Sequence, residues 1–262
     1  THNVFSVADF TRRWLELAGV AWAISTACSS SAKAFASAWR QMKAGFCDAA
    51  VVGGVDSLCL TTLYGFNALG LASPQPCRPW DRERDGLSVG EAAGFALLEW
   101  AEPEDGRVRL LGYGESSDAY HMTAAHPEGA GAALAMRQAL ERADVAPGQV
   151  DYINLHGTAT PSNDAAEDRA VLRVFGEATP CSSTKGWTGH TLGAAGITEA
   201  VFVSLCLEHG LIPGTLNTRQ RDPELGVGVV LENRERPLRL ALSNSFGFGG
   251  TNCSLLFGRG GA

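Results

Sequence analysis

The sequence predicts an α/β protein. Short apolar runs bounded by glycines alternate with segments of helical spacing, which is the first sign. The order strand, helix, strand occurs in the first half and again in the second, which is the other. Composition agrees: the 262 residues are 45% hydrophobic and 19% charged, as in a compact chain with a sizeable core. No linker separates the halves, so residues 1–115 and 116–262 are expected to pack as one body.

Each element has its own reason. Val4 to Leu17 places Val7, Phe10, Trp14 and Leu17 at helical spacing and ends at Gly19. Val20 to Ser25 is short and apolar and reads as a buried strand. Ser29 to Ala44, rich in Ala, Ser and Lys and closed by Gly45, is a helix. Asp48 to Val55 is the next strand, so this region predicts a parallel βαβ unit with a right-handed crossover. The Gly53-Gly54 pair lacks the lysine and following helix of a phosphate loop and reads as close backbone packing. Thr61 to Ser73 reads as irregular. Ser73 to Asp81, with Pro74, Pro76 and Pro79, can be neither helix nor central strand. Arg82 to Gly86 is a charged turn, Phe95 to Glu99 a buried strand, Pro103 to Gly106 a polar turn and Val108 to Gly114 a strand.

The second half opens with the polar stretch Ser116 to Thr123. Glu128 to Ala143 is an amphipathic helix, with Leu134 and Leu140 on one side and Arg137 and Arg142 elsewhere. Pro147-Gly148 turns the chain into a strand from Val150 to Leu155. Asp164 to Phe175 is a helix, Cys181 to Thr184 is extended, and Leu192 to Glu208 is a mostly apolar, hence buried, helix. Val227 to Leu231, Leu238 to Ser243 and Cys253 to Phe257 read as strands, and Gly258 to Ala262 as a loose tail.

Several function classes are disfavoured. A formal net charge of -7 argues against generic nucleic-acid binding. No apolar run reads as long enough to cross a bilayer. The N-terminus lacks both an initiator Met and the pattern of a signal peptide. The seven cysteines are dispersed without a Cys-x-x-Cys pair, which predicts reduced thiols in a cytoplasm, with neither zinc nor a disulfide framework.

Four polar stretches follow a predicted strand or introduce a helix: Cys28, His156, Lys185 with His190, and Phe246 to Asn252. Cys28 lies where a strand turns into a helix, whose first N–H groups and partial positive charge favour a thiolate and can hold an oxyanion. Taken alone, it reads equally as a structural cysteine, and His156, His190 and Lys185 as capping or solvated groups. Functional groups of parallel α/β proteins collect at the C-terminal ends of strands, so the four stretches could converge. Together a cysteine, two imidazoles, an ammonium and a glycine-rich loop make an acyl-transfer site.

The motifs Ser25-Thr-Ala-Cys-Ser-Ser30, His156-Gly-Thr-Ala-Thr-Pro161, Ser182-Ser-Thr-Lys-Gly-Trp-Thr-Gly-His190 and Asn244-Ser-Phe-Gly-Phe-Gly-Gly-Thr-Asn252 resemble the β-ketoacyl-acyl carrier protein synthases. Ser116 to Thr123 resembles synthase II in particular. The resemblance runs in order along the whole chain. It implies a thiolase-like layered αβαβα fold that dimerises, either with itself or with a related subunit. It also implies decarboxylative condensation of an acyl group on Cys28 with malonyl-acyl carrier protein. His156 and His190 would stabilise the enolate, and Lys185 and Glu199 would be a supporting charged pair. The backbone N–H groups of Cys28 and Phe246 would form the oxyanion hole, with Phe246, Gly247 and Phe248 in a gating loop. Thr123, Thr158 and Thr160 would line the phosphopantetheine channel. No resident cofactor or metal is implied, since the phosphopantetheine arrives on the carrier protein.

Two departures accompany the resemblance. Family members carry about a third of a chain more before the point where this one begins, so the first thiolase-like half is expected to be incomplete and to expose apolar edges. Ala92 stands where the family usually has glycine. The rival reading is a non-catalytic partner of the chain-length-factor type, or an inactive fragment. Such partners replace the nucleophilic cysteine, which this chain keeps. A thiolase is disfavoured by its missing motifs. Arg12, Arg13, Arg40 and Lys43 are candidate contacts for the acidic carrier protein.

Overall fold

The structure, a computed structural model, describes residues 3–102 and 105–260. Its helices are α1 (Ser6–Trp14), α2 (Ser30–Lys43), α3 (Leu60–Ala68), α4 (Ala130–Ala143), α5 (Pro161–Phe175), α6 (Lys185–Thr188) and α7 (Ala195–His209). The strands are β1 (Ala49–Asp56), β2 (Ala92–Glu99), β3 (Val108–Ser117), β4 (Tyr152–Asn154), β5 (Cys181–Ser182), β6 (Leu211–Ile212), β7 (Arg234–Glu235), β8 (Leu240–Gly247) and β9 (Thr251–Arg259). Pro103, Glu104 and the last two residues of the expected tail lie outside the described residues.

A five-stranded mixed sheet in the order β3-β9-β8-β4-β5 organises the molecule. Its β3, β9 and β8 run antiparallel, whereas β8, β4 and β5 run parallel. One core joins one face of the sheet to α4 and α5 through Met136, Leu140, Ile153, Val171 and Leu242. A second core joins the opposite face to α2 and α7 through Phe35, Tyr152, Ile197, Val203 and Leu255. The antiparallel pair β1–β2 lies beyond α2 and α7, with Ala92, Ala96 and Leu98 packed inward. Among the described residues this gives four alternating layers, α, β, α and β. The outer face of β1–β2 is open: Val55, Phe95 and Leu97 are 41, 46 and 61% exposed.

Several expectations are corrected. Val20 to Ser25 forms no strand, and Val20 is 82% exposed, because no described strand lies beside it to complete a ladder. The parallel βαβ unit is therefore absent, and β1 instead pairs antiparallel with β2. Phe95 to Glu99 is a half-exposed edge in place of a buried strand. The stretch read as irregular contains α3. Val227 to Leu231 makes only a single bridge, Cys181 to Val229. Leu192–His209 is long and apolar enough to cross a membrane by length and composition, contrary to expectation, yet Ile197, Ala200, Val203 and Leu207 lock it into the core.

Glycines permit close approach at two places, one within a sheet and one between layers. Gly53 lies beneath the Phe95 ring, where a Cβ would come within 2.4 Å of Cδ1. At β3, a Cβ on Gly112 would approach the Ala139 carbonyl to 2.2 Å, and one on Gly114 the Ala135 carbonyl to 1.8 Å. Helix α4 thus rests directly on the backbone of β3. Gly114→Ala is expected to lower stability by about 2 kcal/mol or more in urea denaturation. Gly148→Ala, whose Cβ would meet nothing within 4 Å, should change it by less than about 1 kcal/mol.

Candidate active site

Cys28 sits on a strained turn. The chain passes through Ala27 with φ +52° and enters α2 two residues after Cys28. Residues of that left-handed region need outside support, and hydroxyls supply it: Ser29 Oγ and Thr251 Oγ1 both donate to the Thr26 carbonyl, at 2.9 and 3.0 Å. The cysteine is buried and its Sγ lies 2.9 Å from His190 Nε2. Burial pushes the thiol up to about 11, against the Lys185 charge and the backbone N–H groups of Phe248 and Cys28. At neutral pH the resting group is a thiol that can donate S–H to the imidazole.

The histidines arrive from two directions. His156 follows β4, and its N–H and that of Gly157 donate to the Glu167 carboxylate, each at 2.8 Å. His190 lies between α6 and α7 and is bound through its backbone to Ser88 and Gly90. The two rings stand perpendicular with centroids 5.2 Å apart. Burial, and then the Lys185 charge, holds both imidazoles well below their ordinary range and therefore neutral. Lys185 Nζ is 3.4 Å from His156 Nδ1 and paired with Glu199. An ammonium has no lone pair, so His156 Nδ1 accepts and Nε2 carries the proton. Burial pushes the Glu199 carboxyl up to about 7 against the pull of Lys185.

The glycine-rich loop closes the site with one correction. The expected oxyanion donor Phe246 belongs to β8, opposite Asn252 in the β8–β9 pairing, and its ring lies 5.7 Å from His156. The N–H beside the Cys28 sulfur is that of Phe248, in the turn after Gly247. Gly247 permits the approach, since a Cβ there would come 2.7 Å from the Thr26 carbonyl and 3.2 Å from the Cys28 nitrogen. Phe248 packs on Phe66 at 5.6 Å.

Cys28, His156, His190, Thr123, Thr158 and Thr160 line one narrow cleft of about 60 Å³, together with Phe246, Gly247 and Phe248. Thr158 and Thr160 share a hydrogen bond of 2.9 Å. Sequence reasoning missed Phe66, which lines the cleft from α3, and Glu167; a helix reading of Thr61 to Ser73 would have exposed the first. A larger cleft of about 510 Å³, at the end of α7, shares no residue with this one. Of the candidate docking cations, Arg12 and Arg13 pair with Asp9 and Arg40 with Glu115, while Lys43 lies over Trp39.

Two family models match the chain in succession, the β-ketoacyl synthase N-terminal domain at residues 7–103 and its C-terminal domain at 108–219. The mitochondrial 3-oxoacyl-[acyl-carrier-protein] synthase of Arabidopsis thaliana is 42% identical over 258 residues, covering 88% of this chain and 55% of the plant protein. The 3-oxoacyl-[acyl-carrier-protein] synthase 2 of Vibrio cholerae is 40% identical, covering 90% of this chain and 62% of that protein. Among solved structures, a ketosynthase (ApeO) from Xenorhabdus doucetiae, in complex with its chain length factor (ApeC), superimposes with a TM-score of 0.94 at 43% identity. That match covers 98% of this chain and 65% of the ketosynthase. The chain belongs to the β-ketoacyl synthase family and has the thiolase-type fold of its condensing enzymes. It spans between 55 and 62% of the length of these two curated relatives.

In Lys185→Met the His156 pKa is expected to rise, because a repelling charge is gone, while staying below 6.5 because burial remains. Histidine NMR titration measures this, and an unmoved His156 signal would remove Lys185 from its environment.

Proposed function

We propose that the protein carrying this chain is a 3-oxoacyl-acyl carrier protein synthase that extends acyl chains in fatty acid or polyketide assembly. The observation that carries the reading is the approach of Cys28 Sγ to His190 Nε2 at 2.9 Å, beside a second neutral imidazole and two backbone donors. Cys28 attacks the thioester of acyl carrier protein as its proton passes to His190, and the carrier thiol leaves with that proton. The malonyl-bearing arm of malonyl carrier protein then enters the cleft. Its carboxylate is lost as CO2, and the enolate oxygen is held by the His156 Nε2–H. The enolate carbon attacks the Cys28 thioester. The N–H groups of Cys28 and Phe248 hold the resulting oxyanion until the Cys28 thiolate is expelled, and that thiolate takes a proton from solvent by way of His190.

Acyl carrier protein as partner is supported by the names of the curated relatives, and a related second subunit by the chain length factor bound to the similar ketosynthase. The open apolar face of β1–β2 is consistent with such assembly. Incubating the intact protein with carrier protein loaded with an acyl thioester should add one acyl mass to Cys28, and malonyl carrier protein should then convert it to 3-oxoacyl product. Cys28→Ala should lose both. Condensation that survives in Cys28→Ala would make this chain a non-catalytic partner.

A further inference from the structure

We propose that Ser29 and Thr251 form a hydroxyl latch that holds the Phe248 N–H in place over Cys28, which makes both positioning residues for the acylation proposed above. The two side chains come from positions 222 residues apart and meet at 3.0 Å, Oγ to Oγ1. Both donate to one acceptor, the Thr26 carbonyl, which has two lone pairs for them. Thr26 Oγ1 lies 3.0 Å from Ser29 Oγ, and each hydroxyl has one proton, so Ser29 can accept from Thr26 while it donates to the carbonyl. Ser29 is fully buried; losing its hydroxyl takes the partner of Thr26 Oγ1, and losing that of Thr251 leaves the Thr26 carbonyl to Ser29 and frees the root of the turn from the nucleophile segment.

The position of the latch gives it a task beyond stability. Thr251 faces Gly247 in the β8–β9 pairing, at the mouth of the turn that carries Phe248. Thr26 and Ser29 flank Ala27 and Cys28, the strained part of the nucleophile turn. The latch therefore pins the two segments that supply the Cys28 and Phe248 N–H groups to a single carbonyl. The tip of the turn is held separately, where Gly249 donates to the Met122 carbonyl at 2.7 Å and the Gly250 carbonyl accepts from Asp118 at 2.8 Å, and the latch fixes its root beside Gly247.

Thr251→Val keeps the shape of the side chain and removes the hydroxyl, and Thr251→Ser restores it. In the intact protein, Thr251→Val is expected to slow acylation of Cys28 by carrier-protein thioester about 100-fold, the scale of one lost oxyanion donor. It should also shift the pH profile of Cys28 alkylation by iodoacetamide upward, because the Phe248 N–H no longer favours the thiolate. Thr251→Ser should stay within about threefold of wild type. An unchanged rate and alkylation profile in Thr251→Val, or a Thr251→Ser no better than Thr251→Val, would overturn the latch. If Thr251→Val does not fold, Ser29→Ala read the same way decides the matter, with slower acylation and an upward alkylation shift expected and wild-type values for both overturning it. Wild-type protein that takes no acyl group would defeat the proposed function instead, and the alkylation profiles would still test the latch.

Discussion

The buried ion pair of Lys185 and Glu199 governs the site. Their side chains are only 1 and 3% exposed, in an interior where an unpaired charge is expensive and a paired one is tolerated if it is also hydrogen-bonded. Burial sets the direction of the shifts nearby, and the pair's charge modifies them. The Lys185 ammonium adds to burial in keeping both imidazoles neutral, and by donating to His156 Nδ1 it leaves the His156 proton on Nε2. The same charge opposes the rise of the Cys28 thiol. One neutral imidazole that can donate, and another beside a thiol it can deprotonate, suit chemistry in which an enolate develops and decays.

Holding these groups together is the work of buried acceptors. Helix α5 places Asp164, Glu167 and Asp168 inside the molecule, where they accept backbone N–H groups from three segments of the chain. Asp164 takes Trp80 and Ala159, Glu167 takes His156 and Gly157, and Asp168 takes Gly226 and Val227. Burial pushes Asp164 up to about 6 and Glu167 up to about 7, while those donors pull the other way. The loops need such acceptors because loops supply no partners of their own for buried backbone groups. Glycine does the complementary work by allowing approaches that a Cβ would block, as at Gly247 over the Thr26 carbonyl and Gly157 against Ser183 and Trp80.

The second half of the fold was the more legible part of the sequence. There most apolar runs have a strand neighbour: Val150 to Leu155 becomes β4 between β5 and β8, and the run around Cys253 becomes β9 between β3 and β8, while Val227 to Leu231 makes a single bridge. In the first half, equally apolar runs went elsewhere. Val20 to Ser25 is no strand and β2 leaves Leu97 exposed, because a strand is completed by hydrogen bonds from a neighbour and no local pattern says whether one is there. Helix α3 was missed for a related reason: its apolar residues are spread around the axis, and none is buried.

The motifs by themselves determined the chemical inventory, a cysteine before a helix, two histidines, a lysine and a glycine-rich turn, since each is a local pattern of residues. Only the tertiary structure decided their relations. It put His190 against Cys28 across 162 residues, paired Lys185 with Glu199 and gave the sulfur the N–H of Phe248 in place of that of Phe246. Residue types and spacing specify which groups are present and which face of an element they occupy. Distances between groups far apart in the chain, and the burial that shifts their protonation, arise only when the layers close on one another.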